Sequence, residues 1–197
     1  MNHMFDNLSS DKRLVLAVLA GRVDAFDPLV ARYQEMATRI AYRLLNHKDD
    51  AMEVTQDAFC NAFDRLGSLS EPARFKPWFL RIVNNLALNR RRNRARRKTL
   101  SLDYTPTDSE MRIELHDKNM PTPRDCAIRR DLSNQLRVAI DALPESQRQA
   151  LILYSLEKLP QKEVAQILTC SVEMVKWNVF QARKRLRIVL RDPLDTP

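Results

Sequence analysis

Apolar residues recur along most of this chain at steps of three and four, the period of a helix with one buried face, and strand-like alternation is almost absent. The pattern predicts an all-α protein. From Ala51 to Leu66, the residues Thr55, Ala58, Phe59, Ala62, Phe63 and Leu66 share an inward face. Glu53, Asp57, Cys60 and Asp64 then form an outward row. A second helix begins near Lys76-Pro77-Trp78 and turns Phe79, Ile82, Val83, Leu86 and Ala87 inward. Late in the chain, Leu143-Pro144-Glu145 carries a proline and an acid suited to a first helical turn, and that helix is predicted to run to about Glu157. A break at Lys158-Leu159-Pro160 precedes a two-turn helix, QKEVAQIL, with Val164, Ala165, Ile167 and Leu168 inward. Thr169-Cys170-Ser171 follows, and the Ser171 hydroxyl can accept the N–H groups that open the next helix. On that helix Val172, Val175, Val179, Ala182, Leu186 and Val189 define the buried stripe. A short helix, a three-residue turn and a capped longer helix have helix-turn-helix spacing.

Proline and charge divide the chain into two small helical domains joined by a flexible linker. Residues 1–98 form the first and residues 126–197 the second, with helix in the latter to about Arg191. Residues 99–125 carry Pro106, Pro121 and Pro123 and no sustained apolar face, so they read as a tether. The tether is acidic: Asp103, Asp108, Glu110, Glu114, Asp117 and Asp125 outnumber Arg112, Lys118 and Arg124. There is no internal repeat.

Two polar flanks stand out. Trp78, Arg81, Asn85, Asn89 and Arg92 lie along one side of the second helix, combining an aromatic plane, amides and cations. The dense basic run Arg90 to Lys98 continues it, the kind of surface that holds phosphates while unpaired bases stack or enter pockets. Trp78 has two readings at this point, a core tryptophan at a helix start or a base-contacting one. On the last helix, Glu173, Trp177, Gln181 and Lys184 centre the outward side, with Lys176, Phe180, Arg183 and Arg187 on a shoulder. This is the arrangement of a recognition helix in a major groove, against the alternative of a solvated basic helix with Trp177 folded on its own flank. Ile188 also faces outward and marks where that stripe stops. The acidic row on the first helix suits a protein partner better than nucleic acid, an ordinary wetted face being the plainer reading.

A net charge of +8 over 197 residues supports a polyanionic partner, nucleic acid or an acidic membrane surface. The opening MNHMFDNLSSDKRL has no secretory pattern and no stretch approaches a membrane span, so a cytoplasmic protein without membrane insertion is expected. Cys60, Cys126 and Cys170 are far apart and read as reduced thiols, with no metal expected. Gly21 and Gly67, the only two glycines, cannot make a phosphate loop, and scattered His3, His47 and His116 offer no active site, so neither enzyme activity nor a cofactor is expected.

Four segments in this order resemble the extracytoplasmic-function (ECF) sigma factors of bacterial RNA polymerase, over nearly the whole chain. GRVDAFDPLVARYQEMATRIAYRLL is similar to the family's first helices and DDAMEVTQDAFCNAFDRL to region 2.1 to 2.2. FKPWFLRIVNNLALNRRRNRARR is similar to region 2.3 to 2.4, and LPESQRQALILYSLEKLPQKEVAQILTCSVEMVKWNVFQARKRL to region 4. The resemblance implies that Glu53, Gln56 and Asp57 dock on the β′ clamp helices of polymerase. It implies that Asn61, Leu69, Lys76, Trp78, Arg81, Asn85 and Asn89, with Arg92 on the same flank, surround the non-template strand of the −10 element. The loop from Gly67 to Arg74 would then offer a pocket for a flipped base. Ser171, Glu173, Lys176, Trp177, Phe180, Gln181 and Lys184 would read the −35 duplex. Implied partners are the polymerase core, through the clamp helices and the β flap, promoter DNA, and an anti-sigma factor. The tether would thread the polymerase cleft. The chain departs from the family at Glu53-Val54-Thr55-Gln56-Asp57, where Asp-Leu-x-Gln-Glu is frequent, and at Pro160, where serine is common. Trp177, Asn178 and Gln181 replace a small polar residue and two arginines, which bears on the −35 sequence rather than on the mode of binding. The competing functions are a free-standing helix-turn-helix regulator, whose sensor site is not evident, and an RNA-binding protein, which leaves the recognition helix unexplained.

Overall fold

The computed structural model describes the backbone of residues 2–100 and 123–190, and side chains within 10–97 and 131–190. All regular structure among the described residues is helical. The first block contains α1 (Asn2–Leu19), α2 (Asp27–Leu45), α3 (Lys48–Asp64) and α4 (Phe75–Leu100), with 3₁₀ turns at Val23–Phe26, Leu66–Ser68 and Pro72–Arg74. The second contains α5 (Pro123–Asp141), α6 (Glu145–Leu151), α7 (Gln161–Leu168) and α8 (Val172–Val189). The acidic tether expected at Asp103 to Asp117 lies outside the described residues, as does the end beyond Leu190.

Local chemistry sets the helix ends. Pro28 sits in the first turn of α2, where its missing N–H is harmless, and Asn46 closes that helix in the left-handed region at φ 53°. The Asp50 N–H donates to His47 Nδ1 (3.3 Å) at the start of α3, with Asp49 and Asp50 in the first turn where the helix dipole favours anions. α3 begins and ends slightly earlier than the apolar period from Ala51 to Leu66 suggests, because the cap and acids at its start extend the helix without contributing apolar residues. Leu66 is buried from the following 3₁₀ turn, whereas Phe63, expected inward, is exposed in the last turn and touches only the edge of Phe26 at 5.2 Å among the ring contacts. α4 runs two residues past the expected boundary at Lys98, and α5 begins at Pro123 rather than Cys126, since proline suits a first helical position.

The helix predicted from Glu145 to Glu157 changes winding at Ile152–Leu156, where a π turn closes through the Glu157 N–H to the Ile152 carbonyl (2.9 Å). Pro144 precedes α6 as its cap residue. Lys158 and Thr169 adopt left-handed φ of 58° and 54°, and Thr169 ends α7. The Met174 N–H donates to Ser171 Oγ at 3.1 Å, as the capping argument requires. Val175, Val179 and Ala182 are buried along α8, but Val189 is 58 % exposed because the helix runs on past the helices that floor it.

Aromatic rings fill the first core: Phe59 stacks on Phe79 (centroids 4.5 Å) and Phe75 on Phe79 (5.7 Å), with Tyr33 and Phe26 alongside. Asp11, buried, accepts from the Tyr33 hydroxyl and from Arg32, which fastens α1 to α2. Burial, followed by the Asp11 carboxylate, pushes the Tyr33 hydroxyl far above its ordinary range. The second core is aliphatic, built from Ile152, Leu153, Leu159, Val164, Ile167, Val175 and Val179.

The two helical domains also pack against each other. One buried cluster runs from the first core into the second, with α7 lying on α4 and the π turn on α2. Ion pairs bound this contact. Glu157, whose side chain is 2 % exposed, faces Arg43 Nε at 2.8 Å and Arg39 Nε at 3.3 Å. Lys76 Nζ meets Glu163 at 2.7 Å, Arg91 meets Asp141 at 2.8 Å and Arg92 meets Glu145 at 2.6 Å. Apolar surface buried at the junction drives the blocks together, and the charge pattern sets their register.

Candidate nucleic-acid interface

α4 and the loop before it make a cleft of about 250 Å³, lined by Leu69, Ser70, Glu71, Arg74, Pro77, Trp78 and Arg81. Leu69 is buried and forms part of its apolar wall. Pro77 permits the helix to start here, so Trp78 and Arg81 fall one turn apart on the flank that borders the loop. Trp78 satisfies both sequence readings: its ring packs at 5.9 Å from Phe75 and also borders the cleft. Asn85, Asn89 and Arg92 continue outward along α4 and are exposed. Asn61 stands apart on α3, with its Nδ2 donating to the Asp57 carbonyl at 2.8 Å. Gln166 of α7 also lines the cleft, a residue that no local sequence signal points to.

The basic run is not a free phosphate-binding tail. Arg90 pairs with Glu53 (2.6 Å) and Asp50 (3.4 Å), Arg94 with Asp50 (3.3 Å), and Arg91 with Asp141 while also donating to the Leu44 carbonyl (3.1 Å). Arg92 holds Glu145, and that hydrogen bond raises its already high pKa, so it is a permanent cation. Arg96 and Arg97 are exposed. The acids of α3 and the second block therefore compete with any phosphate for the middle of this run.

On α3, Glu53, Gln56 and Asp57 face outward beside Cys60 and Asp64, as the period predicts. Glu53 is tied to Arg90, and Gln56 and Asp57 make no side-chain ion pair among the described residues.

The α8 face differs. Glu173, Lys176, Trp177, Phe180 and Lys184 are exposed and Gln181 is half-buried, with Trp177 at 52 % and Phe180 at 63 % exposure. Met174, exposed one turn before Trp177, extends this apolar ridge, and its residue type, more usual in a core, gives no sign of it in the sequence. Ser171 serves as the cap, which leaves its hydroxyl proton to donate elsewhere. Arg183 turns away from this face, donating to Ser155 Oγ (3.1 Å) and lying 5.8 Å over the Tyr154 ring. Asn178 is buried under the ridge. Arg148 anchors the other end of the motif by donating to the Asp141 (3.0 Å) and Leu143 (3.2 Å) carbonyls, and burial, then Arg91, lowers its pKa.

Among the described residues there is no metal-binding cluster of His, Cys, Asp or Glu, and no helix is long and apolar enough to cross a membrane.

The two blocks match family models in the same order along the chain. The family model described as Sigma-70 region 2 matches residues 29–97, and that described as Sigma-70, region 4 matches residues 133–186. The RNA polymerase sigma-H factor of Pseudomonas aeruginosa is 33% identical over 187 residues, spanning 92% of this chain and 96% of that protein. The ECF RNA polymerase sigma-E factor of Escherichia coli K12 is 31% identical over 179 residues, 90% of this chain and 92% of that protein. Among solved structures, the sigma factor RpoE bound to the anti-sigma factor NepR from Bartonella quintana shares the fold, with a TM-score of 0.64 and 20% identity over 84% of this chain and 96% of that one. With both region models matched in order and relatives similar along almost their full length, the chain belongs to the ECF branch of the sigma-70 family of RNA polymerase sigma factors.

Proposed function

We propose that the chain is an alternative sigma factor that binds core RNA polymerase, recognises two promoter elements and stabilises melted DNA between them. The observation that carries this reading is the pairing of a single-strand type of surface on α4 with a duplex type of surface on α8. The chain itself has no catalytic role in it. Residues 1–98 serve core and −10 binding, residues 99–125 the polymerase cleft, and residues 126–197 the −35 element.

α8 enters the major groove with Glu173, Lys176, Trp177, Phe180, Gln181 and Lys184 toward base edges and phosphates, Ser171 holding its first turn. At the other end, Trp78, Arg81 and Leu69 take an unstacked base into the cleft, and Lys76, Asn85, Asn89 and Arg92 hold the strand that carries it. Asn61 assists from α3. Stacking on one aromatic ring contributes about 1–3 kcal/mol per base, enough to favour the open strand without nucleotide hydrolysis. Glu53, Gln56 and Asp57 give α3 an acidic face for the clamp helices of polymerase, and the second block meets the β flap. The fold shared with a sigma factor held by an anti-sigma factor supports a protein inhibitor as a further partner. This work belongs to the cytoplasm, where polymerase and DNA are.

Purified core polymerase with this chain as the sole sigma factor, given genomic DNA, tests the reading. Transcripts from discrete start sites are expected. A need for a second sigma factor would favour the helix-turn-helix regulator instead.

A further inference from the structure

Of the described residues from Ser171 to Lys184, where α8 opens outward, one is arginine, Arg183, and it is turned away to Ser155 and Tyr154. A guanidinium fork aimed at guanine is the commonest specific contact in a major groove, and this stretch does not offer one. Large apolar side chains stand in its place. Met174, Trp177 and Phe180 are 48 %, 52 % and 63 % exposed. At steps of three residues they wind along about 9 Å of helix, the length of about three base-pair steps. Lys176 and Lys184 are exposed beside them. A second copy of the same face would bring these cations together, whereas a duplex brings phosphates to them.

An apolar ridge gains nothing from the amines, carbonyls and ring nitrogens of a major groove, and covering such groups without a hydrogen bond is costly. The apolar group that a base pair presents there is the C5-methyl of thymine. We propose that Met174 and Trp177, with Phe180 alongside, set the sequence preference of α8 by packing on thymine methyl groups, so that apolar contact at thymine carries the discrimination along this ridge. The proposal rests on the −35 assignment above and names the chemistry that such an element must display.

The test lets the full chain select from a randomised duplex DNA pool. The enriched duplex is then synthesised with thymine and with uracil, which lacks only the C5-methyl, and anisotropy titrations compare the two. Enriched duplexes should share thymines, and uracil should weaken binding about four-fold for each methyl in contact, the scale of losing one buried methyl-sized group. Met174→Ala together with Trp177→Ala should bring the ratio of the two affinities close to one. Ile188→Ala, at an exposed apolar site past the ridge, should leave that ratio unchanged. Equal affinity of the parent chain for the two duplexes would overturn the proposal. So would a ratio that persists in the double variant, since DNA shape or another residue then carries it. If no duplex is enriched, the −35 assignment itself falls and the proposal with it, and light scattering would then show whether the ridge joins two copies in a dimer that Trp177→Ala dissolves.

Discussion

The two blocks treat their DNA-type surfaces in opposite ways. In the first, the cations of the α4 flank and its extension are met by carboxylates from α3 and from the second block, and the cleft is bordered by α7. In the second, Met174, Trp177 and Phe180 stand open on α8 with Lys176 and Lys184 beside them. The difference follows from what each surface must hold. An exposed cationic groove attracts any polyanion at a distance, whereas an apolar ridge binds only when it fits a groove. Under the proposed function, covering the first and leaving the second open would restrain non-specific binding and preserve duplex recognition.

The largest effect that would sharpen this contrast lies on the surface that neither block covers. Asp57→Lys should weaken binding to core polymerase by at least about tenfold, reversing a charge at the proposed docking face. The melting temperature should not change, as Asp57 is exposed; fluorescence titration of labelled chain with core measures the first, and equal affinity would remove Asp57 from the interface. Glu157→Gln breaks the comparison from the junction. Losing a buried carboxylate that two arginines share should cost about 1.5–3 kcal/mol in urea unfolding and loosen the contact between the blocks. Trp177→Ala should reduce binding to a −35 duplex about tenfold while leaving a −10 single strand nearly unaffected, as the two surfaces lie on different blocks. Parallel gel-shift titrations would show a loss on both if the separation is wrong.

The smallest effect is a pH dependence within the first block. Tyr33, buried and donating to Asp11, has a pKa above that of a free tyrosine, so the folded state prefers the neutral phenol. Its contribution is therefore complete below about pH 10 and is lost as pH rises through the folded value. Urea midpoints at pH 8 and pH 10.5 should differ by more in the parent than in Tyr33→Phe.

Helical periodicity made much of this visible in the sequence. Val175, Val179 and Ala182 are buried and Ile188 exposed because a 3.6-residue period fixes which side of α8 faces its floor. The same rule fails at Val189 and Phe63, since it does not say where the floor ends. The outward sites were legible for the same reason: Asp57, Asn85, Asn89, Arg92 and Trp177 all point where the spacing puts them. Long-range pairing was not legible. Glu157 lies 118 residues from Arg39, and Glu145 53 residues from Arg92, and local pattern carries no record of such meetings. The arginine run illustrates the cost: read alone it is a polyanion site, and only the fold reveals the acids that face it.

Acrylamide quenching of two single-tryptophan chains, Trp78→Phe and Trp177→Phe, compares the covered and open surfaces most directly. The account predicts ready quenching of Trp177 at every salt concentration. Trp78 should be protected at low salt and become more accessible as salt loosens the junction. Equal quenching of the two at low salt, or a Trp78 signal indifferent to salt, would contradict it.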